Sequence, residues 1–388
     1  MASNACLRAS SFMLMTLVPV YVMDNGFSAA DAGLTTTLYM GAAVLMRPVA
    51  GSLVDRRGRW IAMTIGAVAF TVASGLLPLA TPLWLFLVVR AIQGLGFSLN
   101  GTAVMTLATD IIPERRLAQG IGLLGLEQTI VQMFAPWLAL ELRAVAGYAV
   151  AFLVVFAFGV LNLLLRIPLA ATSRRVDRER RERILVREDD PLRQTRVPLW
   201  HRVVERDAWR VSSVMFFVMF GTTSVNSFLA AYAIARGIEN AGFFFTASGL
   251  AVAVSRVLLV PLGRRFGQLK VVMPGIVTVS LAMLVIVWAP GLPQLIVAGL
   301  LYGLGTGMIA PGLNTLAILG ASRRNRGRAS STFYMAMDLG NALGAAALGV
   351  VASASGLGSA FVVSSVVVVV AGLVLALQWW RGWVSDPR

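Results

Sequence analysis

The stretch "GSLVDRRGRW", residues 51–60, places Asp55 beside three arginines directly after a long apolar run. In a soluble protein such a cluster would suggest a phosphate or nucleic-acid site, because clustered arginines neutralise phosphates. Here apolar runs flank it on both sides, over residues 32–54 and 61–80. A helix needs about 20 apolar residues to cross the ~30 Å hydrocarbon core of a bilayer. The stretch therefore indicates a short charged loop between two membrane helices.

The composition of the whole chain agrees with this interpretation. Of its 388 residues 57% are hydrophobic and only 13% are charged, against about 25% charged in soluble domains. The net charge of +15 is spread between apolar segments, which argues against nucleic acid as a partner. One cysteine, Cys6, and one histidine, His201, exclude a disulfide framework, a multi-histidine metal site and Ser-His-Asp catalysis.

Twelve apolar segments are long enough to span a membrane. They are predicted to be helices, because an α-helix pairs its backbone hydrogen-bonding groups within the same segment. The first is predicted as a membrane helix and not as a signal peptide, because no convincing cleavage site follows it. The predicted spans are 5–23, 32–54, 61–80, 83–108, 118–141, 147–169, 209–233, 241–262, 271–289, 293–319, 328–353 and 357–380.

Arginine and lysine lie almost entirely on one side of these spans. The loops after the second, fourth, eighth and tenth spans read "DRRGRW", "PERRLAQ", "GRRFGQLK" and "SRRNRGR", whereas the other side carries only Arg143 and Arg236. Because cytoplasmic loops are enriched in basic residues, both termini and all four loops are predicted to be cytoplasmic.

The chain is predicted to consist of two related halves. The highly charged segment 170–207 is predicted to be a cytoplasmic linker between a bundle at 1–169 and another at 208–388. A shift of 209 residues brings Arg47 onto Arg256, and it brings identical residues together in three separate regions. Two parallel repeats with a site between them are a known plan for transporters.

Two motifs carry a resemblance to a known family. The pattern G-x-x-x-D-R-x-G-R at Gly51, Asp55, Arg56, Gly58 and Arg59 resembles the signature loop of the major facilitator superfamily. The pattern R-x-x-Q-G-x-G, starting at Arg90, resembles the superfamily's fourth-helix motif. The resemblance covers essentially the whole chain. It implies an all-α polytopic membrane protein with twelve transmembrane helices in two pseudo-symmetric six-helix bundles.

Within this superfamily, "RPVAG" at 47–51 and "PERRLAQGIGLLG" at 113–125 look most like bacterial drug:proton antiporters, which are efflux permeases. The fifth helix departs from their pattern. Its "VQMFAPWLALEL" keeps Pro136 but lacks the glycines that usually surround this proline. Antiport and export are therefore the expectation, with import as the alternative that this departure keeps open.

Four charged residues inside predicted spans suggest a coupling mechanism, because a charge at the bilayer centre costs about 2.5 to 3.5 kcal/mol and is usually functional. Arg47 and Arg256 lie about 12 Å from the predicted cytoplasmic ends of their helices, and Glu127 and Asp338 lie about 15 Å from theirs. In the superfamily's arrangement helix two packs on helix eleven and helix five on helix eight. This implies the pairs Arg47–Asp338 and Arg256–Glu127, either as protonation-sensitive latches or as static structural ion pairs.

The resemblance implies roles for three further residues. Arg90 resembles a residue that influences proton transfer in related antiporters, with helix packing as its alternative. Asp55 and Arg59 belong to the loop that should latch the halves together in the outward-open state. The second-half counterpart, "PLGRRFGQLK", has Arg264 where Asp55 stands, so the latch is predicted to be one-sided.

Candidate substrate contacts are polar and aromatic residues at helical spacing, which either line a site that is mostly apolar or join helices through hydrogen bonds. They are Gln93, Phe97, Asn100, Gln128, Gln132, Thr223, Asn226, Tyr302, Asn314, Tyr334 and Asn341.

The sequence therefore predicts a secondary transporter of a small molecule, most simply a proton-driven exporter in the inner membrane of a bacterial cell. Its predicted partners are the substrate, protons and membrane lipid, and it is expected to be a monomer. The alternatives are a proton-coupled or facilitated importer of a polar metabolite and a non-transporting sensor or scaffold. No enzyme activity, metal or cofactor is expected, since no nucleophile with a base, ligand cluster or nucleotide motif is present.

Overall fold

The computed structural model describes residues 1–79, 82–112, 116–168, 170, 205–321 and 326–384, and these are almost entirely helical. His201 and nearly all of the predicted linker 170–207 lie outside the described residues, so the linker stays a prediction. The helices are α1 Ala2–Asp24, α2 Ala29–Arg57, α3 Arg59–Leu76, α4 Leu83–Ile111, a long helix Leu117–Leu164, α7 Arg206–Ala235, α8 Phe243–Phe266, α9 Gln268–Trp288, α10 Leu292–Gly320, α11 Arg326–Ser355 and α12 Leu357–Trp380.

The long helix Leu117–Leu164 contains two membrane-spanning segments. Gly147 interrupts it with φ 80° and ψ 178°, a conformation that favours glycine. We call the parts α5 (117–146) and α6 (148–164). Phe134 and Phe158 line one apolar pocket, although 24 residues of straight helix would separate them by about 36 Å. The chain therefore turns back at Gly147, close to the boundary predicted between spans five and six.

The helices have the length and composition for a membrane. Ten helical segments in the described part of the chain are long and apolar enough to cross it, and one of these contains both α5 and α6. A further apolar segment, Phe243–Leu259 of α8, is shorter. These segments account for the twelve predicted spans.

The helices pack as two bundles that meet along two main seams. In the first half α1 packs on the α5–α6 hairpin and α4 on α2 and α3, and in the second half α10 packs on α8 and α9 and α7 on α11 and α12. Between the halves, α2 packs on α11 and the α5–α6 hairpin on α8, with a smaller contact between α1 and α7. The two main seams are those that the family resemblance implied.

The 209-residue repeat is also present in three dimensions. A Cβ atom on Gly66 of α3 would lie 2.7 Å from the carbonyl oxygen of Gly96 of α4. At the positions 209 residues later, a Cβ on Gly275 would lie 3.1 Å from the oxygen of Gly305. In both halves, glycine lets the same helix pair approach closely.

On the α2–α11 seam the halves touch at one end and separate at the other. On α2, the Ala30 backbone N–H donates to the Ser353 hydroxyl at 2.7 Å, and the Thr37 hydroxyl to the Ala342 carbonyl at 2.8 Å. Further along the same face, a Cβ on Gly41 or Gly51 would have no heavy atom within 4 Å, in the part of the chain that is described. We call the membrane side that carries the arginine-rich loops the basic side. The α2–α11 seam is open towards it.

Candidate functional site between the two halves

An ion pair joins the halves where the α2–α11 seam ends. The Arg47 Nε donates to Asp338 Oδ2 at 2.5 Å, and Nη2 contacts the same oxygen. Asp338 is 7% exposed, whereas 41% of the Arg47 side chain is exposed. This confirms the first predicted pair. The pair places the titratable carboxyl group of Asp338 between the two halves of the chain. These halves must move relative to each other in a transporter built from two repeats.

The second predicted pair is wrong. Arg256 does not reach Glu127, and its Nη1 donates instead across the α5–α8 seam to the Gly125 carbonyl at 2.8 Å. The reason is helical phase, because subtracting 209 from Asp338 gives Thr129 and not Glu127. Two residues correspond to about 200° of rotation around a helix. Glu127 therefore points away from the seam.

Glu127 faces α1 within the first half. Its Oε1 accepts a hydrogen bond of 2.8 Å from Asn4 Nδ2, and Arg8 is near enough to interact with it electrostatically. Its Oε2 is buried and has no hydrogen-bond partner among the described residues. Glu127 is thus a partly satisfied carboxylate beside a cation, and it does not bridge the two halves.

Arg90 is fully buried inside the first half. Its Nη1 donates to Gln93 Oε1 at 2.9 Å, Gln93 donates to the Ser74 hydroxyl at 3.1 Å, and the guanidinium lies 4.4 Å from the centre of the Tyr39 ring. The Tyr39 hydroxyl in turn lies 2.7 Å from that of Ser11. Gln93, predicted as a substrate contact, therefore supports Arg90. A buried cation held by a ring face and one amide is stabilised only in part.

Asn100 belongs to a second buried network and does not line the space between the halves. Its Oδ1 accepts from Arg166 Nη2 at 2.5 Å, and both residues are at most 2% exposed. Arg166 also contacts the Ser3 hydroxyl and the Met63 carbonyl. This network ties α1, α3, α4 and the end of α6 together, which is the helix-joining alternative given for Asn100, and its substrate contact stays a prediction.

In the second half the candidate residues differ in their surroundings. The Thr223 hydroxyl donates to Asn341 Oδ1 at 2.7 Å and joins α7 to α11. Tyr302 is buried against the ring of Phe244. Asn314 Oδ1 is buried without a hydrogen-bond partner in the part of the chain that is described, and Tyr334 is 40% exposed.

The remaining four candidates differ in burial. Asn226 and Gln128 are half-buried, Gln132 is exposed, and Phe97 packs at 5.8 Å on Tyr39.

The signature loop is anchored to α4. Arg59 Nε donates to Asp110 Oδ2 at 2.8 Å, and its Nη2 lies 2.8 Å from the same oxygen. Gly58 adopts φ 97°, and Gly267, its counterpart in the second half, adopts φ 90°. Both halves therefore make the same tight turn at this point. The side chains of Asp55 and Arg264 lie outside the described residues, so the one-sided latch stays a prediction.

A family model for the Major Facilitator Superfamily matches residues 1–241 and 211–388, which together cover the chain. The chain belongs to the major facilitator superfamily. It is accordingly a multi-pass membrane transporter, and the superfamily does not consist of enzymes.

Known members of the superfamily resemble it at low identity. The multi-drug resistance efflux pump PmrA homolog of Lactococcus lactis is 24% identical over 326 residues, which are 79% of this chain and 76% of that one. A bacterial homolog of the human lysosomal transporter Spinster has a TM-score of 0.76 at 16% identity, over 100% and 98% of the two chains. The nucleoside transporter NupG has a TM-score of 0.74 at 15% identity, over 97% and 96%. At 15–16% identity, these two solved structures show that this chain shares their fold and nothing further.

Three residues with buried polar contacts were not predicted from the sequence: Asn4, Arg8 and Arg166. Arg8 is a single charge inside an apolar span, the same signal that identified Arg47 and Arg256, so it could have been found. Arg166 stands at the end of a span, where arginine is expected at the interface. Asn4 has no signal in the sequence, because its partner Glu127 is 123 residues away.

Proposed function

We propose that this transporter exports a small molecule by alternating access and is driven by inward proton flow. In this proposal it lies in the inner membrane of a bacterial cell with both termini and the basic side in the cytoplasm. The conformation described above is then open to the cytoplasm, the state in which an exporter takes up its substrate.

The observation that carries the proposal is the Arg47–Asp338 ion pair. It is the only ion pair between the halves among the described residues, and it lies where the closed part of the seam meets the open part. Protonation of Asp338 would neutralise one partner and weaken the contact, which would change the relative stability of the two openings. A fully buried pair costs about 3–5 kcal/mol to break. Because Arg47 is partly exposed, water lowers this cost.

Export is favoured over import by two observations of different kinds. One relative is named an efflux pump, and the motifs around Gly51 and Pro113 resemble those of drug:proton antiporters. Import remains the second candidate because α5 lacks the glycines around Pro136. A sensor or scaffold is the remote alternative, since fold alone does not determine function.

The decisive experiment is directional flux in sealed vesicles. Everted and right-side-out vesicles containing the protein are given a compound library under an imposed pH gradient, and accumulation is measured by mass spectrometry. Export predicts gradient-driven accumulation in everted vesicles, which Asp338→Asn abolishes.

The matched control is Asp24→Asn, because the Asp24–Arg143 ion pair of 2.7 Å lies within the first half. The control should keep the gradient dependence. Accumulation in right-side-out vesicles would indicate the importer, and no flux in either direction would leave the sensor. Retention of full gradient dependence by Asp338→Asn would exclude the proposed latch.

A further inference from the structure

The space between the halves carries more positive than negative charge. Four arginines lie inside membrane-spanning helices on or behind its walls, against two carboxylates, Glu127 and Asp338. Only one of the arginines has a carboxylate within ion-pair distance in the described part of the chain. The four are Arg8, Arg47, Arg90 and Arg256.

Two of these arginines approach the space from opposite halves. Arg8 of α1 and Arg256 of α8 both interact electrostatically with Tyr334 of α11, which is 40% exposed. The Nε atom of each guanidinium is buried and has no hydrogen-bond partner in the described residues. Each half therefore contributes an arginine that has an unsatisfied donor and lies within electrostatic range of Tyr334.

A cavity of about 440 Å³ adjoins Arg256 in the α5–α8 seam. Its other walls are apolar apart from Thr129, and they include Leu126, Ala253 and Pro311. Among the described residues, no other charged side chain lines it. A mostly apolar site with one fixed charge suits a ligand that has an apolar body and a single group of opposite charge.

The chemistry of arginine identifies that group. An unpaired charge in an apolar span is unfavourable, whereas guanidinium binds carboxylate and phosphate through two parallel hydrogen bonds. The carboxylates present meet this need only in part, since Asp338 is paired with Arg47, and Glu127 lies near Arg8 but accepts its hydrogen bond from Asn4. Four arginines against two carboxylates leave an excess of two positive charges, which an anionic group would reduce.

We propose that the substrate is an amphiphilic organic anion whose carboxylate or phosphate is bound between Arg8 and Arg256 beside Tyr334. Its apolar body occupies the cavity next to Arg256. The inference rests on the proposed function in taking the space between the halves as the transport path. Because the two arginines belong to different halves, the bound anion would contact both moving bodies.

The test compares probes that share one apolar body and differ in charge. Wild-type protein in nanodiscs of neutral phosphatidylcholine is dialysed against 2-naphthoate, 1-naphthyl phosphate, 1-naphthylmethylammonium and inorganic phosphate. We expect the two naphthyl anions to bind about tenfold or more tightly than the ammonium, because charge-assisted hydrogen bonds contribute about that factor. The better of the two anions identifies the preferred group, and inorganic phosphate shows what the charge contributes alone.

Variants locate the site. Arg8→Gln and Arg256→Gln should each weaken anion binding about tenfold, and Arg256→Lys should restore part of it because the charge is kept. The control is Arg210→Gln, since Arg210 lies on α7 against Trp383 and outside this space. Size-exclusion chromatography excludes variants that do not fold, and Arg8→Lys replaces Arg8→Gln if the latter fails.

Three results would overturn the inference: equal or tighter binding of the ammonium, no charge-dependent binding by any naphthyl probe, or unchanged anion binding in both glutamine variants. Its failure differs from that of the proposed function. Proton-driven export of a cation would exclude the anion alone, whereas anion binding without gradient-driven flux would exclude the exporter alone.

Discussion

The two seams between the halves are related by the same 209-residue repeat, yet they hold the halves together differently. On the α2–α11 seam, Arg47 meets the carboxylate of Asp338. On the α5–α8 seam, Arg256 meets a backbone carbonyl at Gly125. One seam can lose its ionic contact when a proton binds, and the other cannot.

The two seams therefore share a symmetric backbone but differ in the side chains that their arginines contact. Gly33 and Gly242 are equivalent positions, and each packs on the partner helix of its seam, at Ala345 and at Trp137. The arginines are equivalent as well. Only the acid is unique, because Thr129 occupies the position that corresponds to Asp338. Among these positions, a single substitution therefore separates a seam with a titratable carboxylate from one whose arginine has no acid partner.

The largest expected effect comes from reversing charge on the titratable seam. Arg47→Asp would place two carboxylates together, and proton-driven flux should fall more than tenfold, since loss of one partner of a buried pair costs up to about 3–5 kcal/mol. The double variant with Asp338→Arg should recover part of the flux. Flux in everted vesicles measures both. No recovery in the folded double variant would mean that the pair does more than hold the seam.

The second-largest effect is expected at the glycines where the helices of each seam pack closely, Gly33 and Gly242. A Cβ at Gly33 would overlap the backbone oxygen of Ala345, whereas a Cβ at Gly242 would lie 3.0 Å from the side chain and Cα of Trp137. Gly33→Val should therefore lower the stability of this conformation by about 1–3 kcal/mol, and Gly242→Val by less, because a tryptophan ring can shift. Thermal unfolding in detergent gives the order. An equal loss in the two variants would show that the seams are equally rigid.

Much of the fold follows from the sequence, because length and apolarity alone specify membrane helices and the repeat specifies two halves. The Arg47–Asp338 pair was predictable from matched depth and known helix neighbours. The Arg256–Glu127 pair was not, because depth is insensitive to helical phase. A 209-residue shift applied to Asp338 would have corrected it. Contacts such as Asn4–Glu127 depend on how α1 and α5 are rotated, which no local pattern encodes.

A smaller effect is expected at the signature loop. Asp55→Ala should reduce transport several-fold and leave the protein folded, because the loop is predicted to stabilise the opposite opening. Arg264→Ala, at the equivalent position in the second half, should have less effect if the latch is one-sided. Flux and thermal unfolding are measured together. Normal transport by Asp55→Ala would reduce the motif to a marker of topology.

The smallest effect is expected when the α5–α8 seam is given an acid like that of the α2–α11 seam. Thr129 is 4% exposed, its hydroxyl donates to the Gly125 carbonyl at 3.0 Å, and it lines the cavity beside Arg256. Thr129→Asp would give Arg256 the partner that Arg47 already has. Since the ionic gain is largely offset by the cost of burying a carboxylate, we expect a stabilisation of at most about 1 kcal/mol at neutral pH.

The sign of the pH dependence tests this comparison directly. The added stability requires an ionised carboxylate, so it should be present at neutral pH and lost as the new group is protonated on acidification. Thermal unfolding of Thr129→Asp and wild type across pH measures the difference, with Thr129→Asn as the uncharged control. Equal stability of the Asp and Asn variants at every pH would show that Arg256 is held by the backbone alone. The absence of an acid on this seam would then have no energetic consequence, and the asymmetry between the seams would lie entirely in what Asp338 adds.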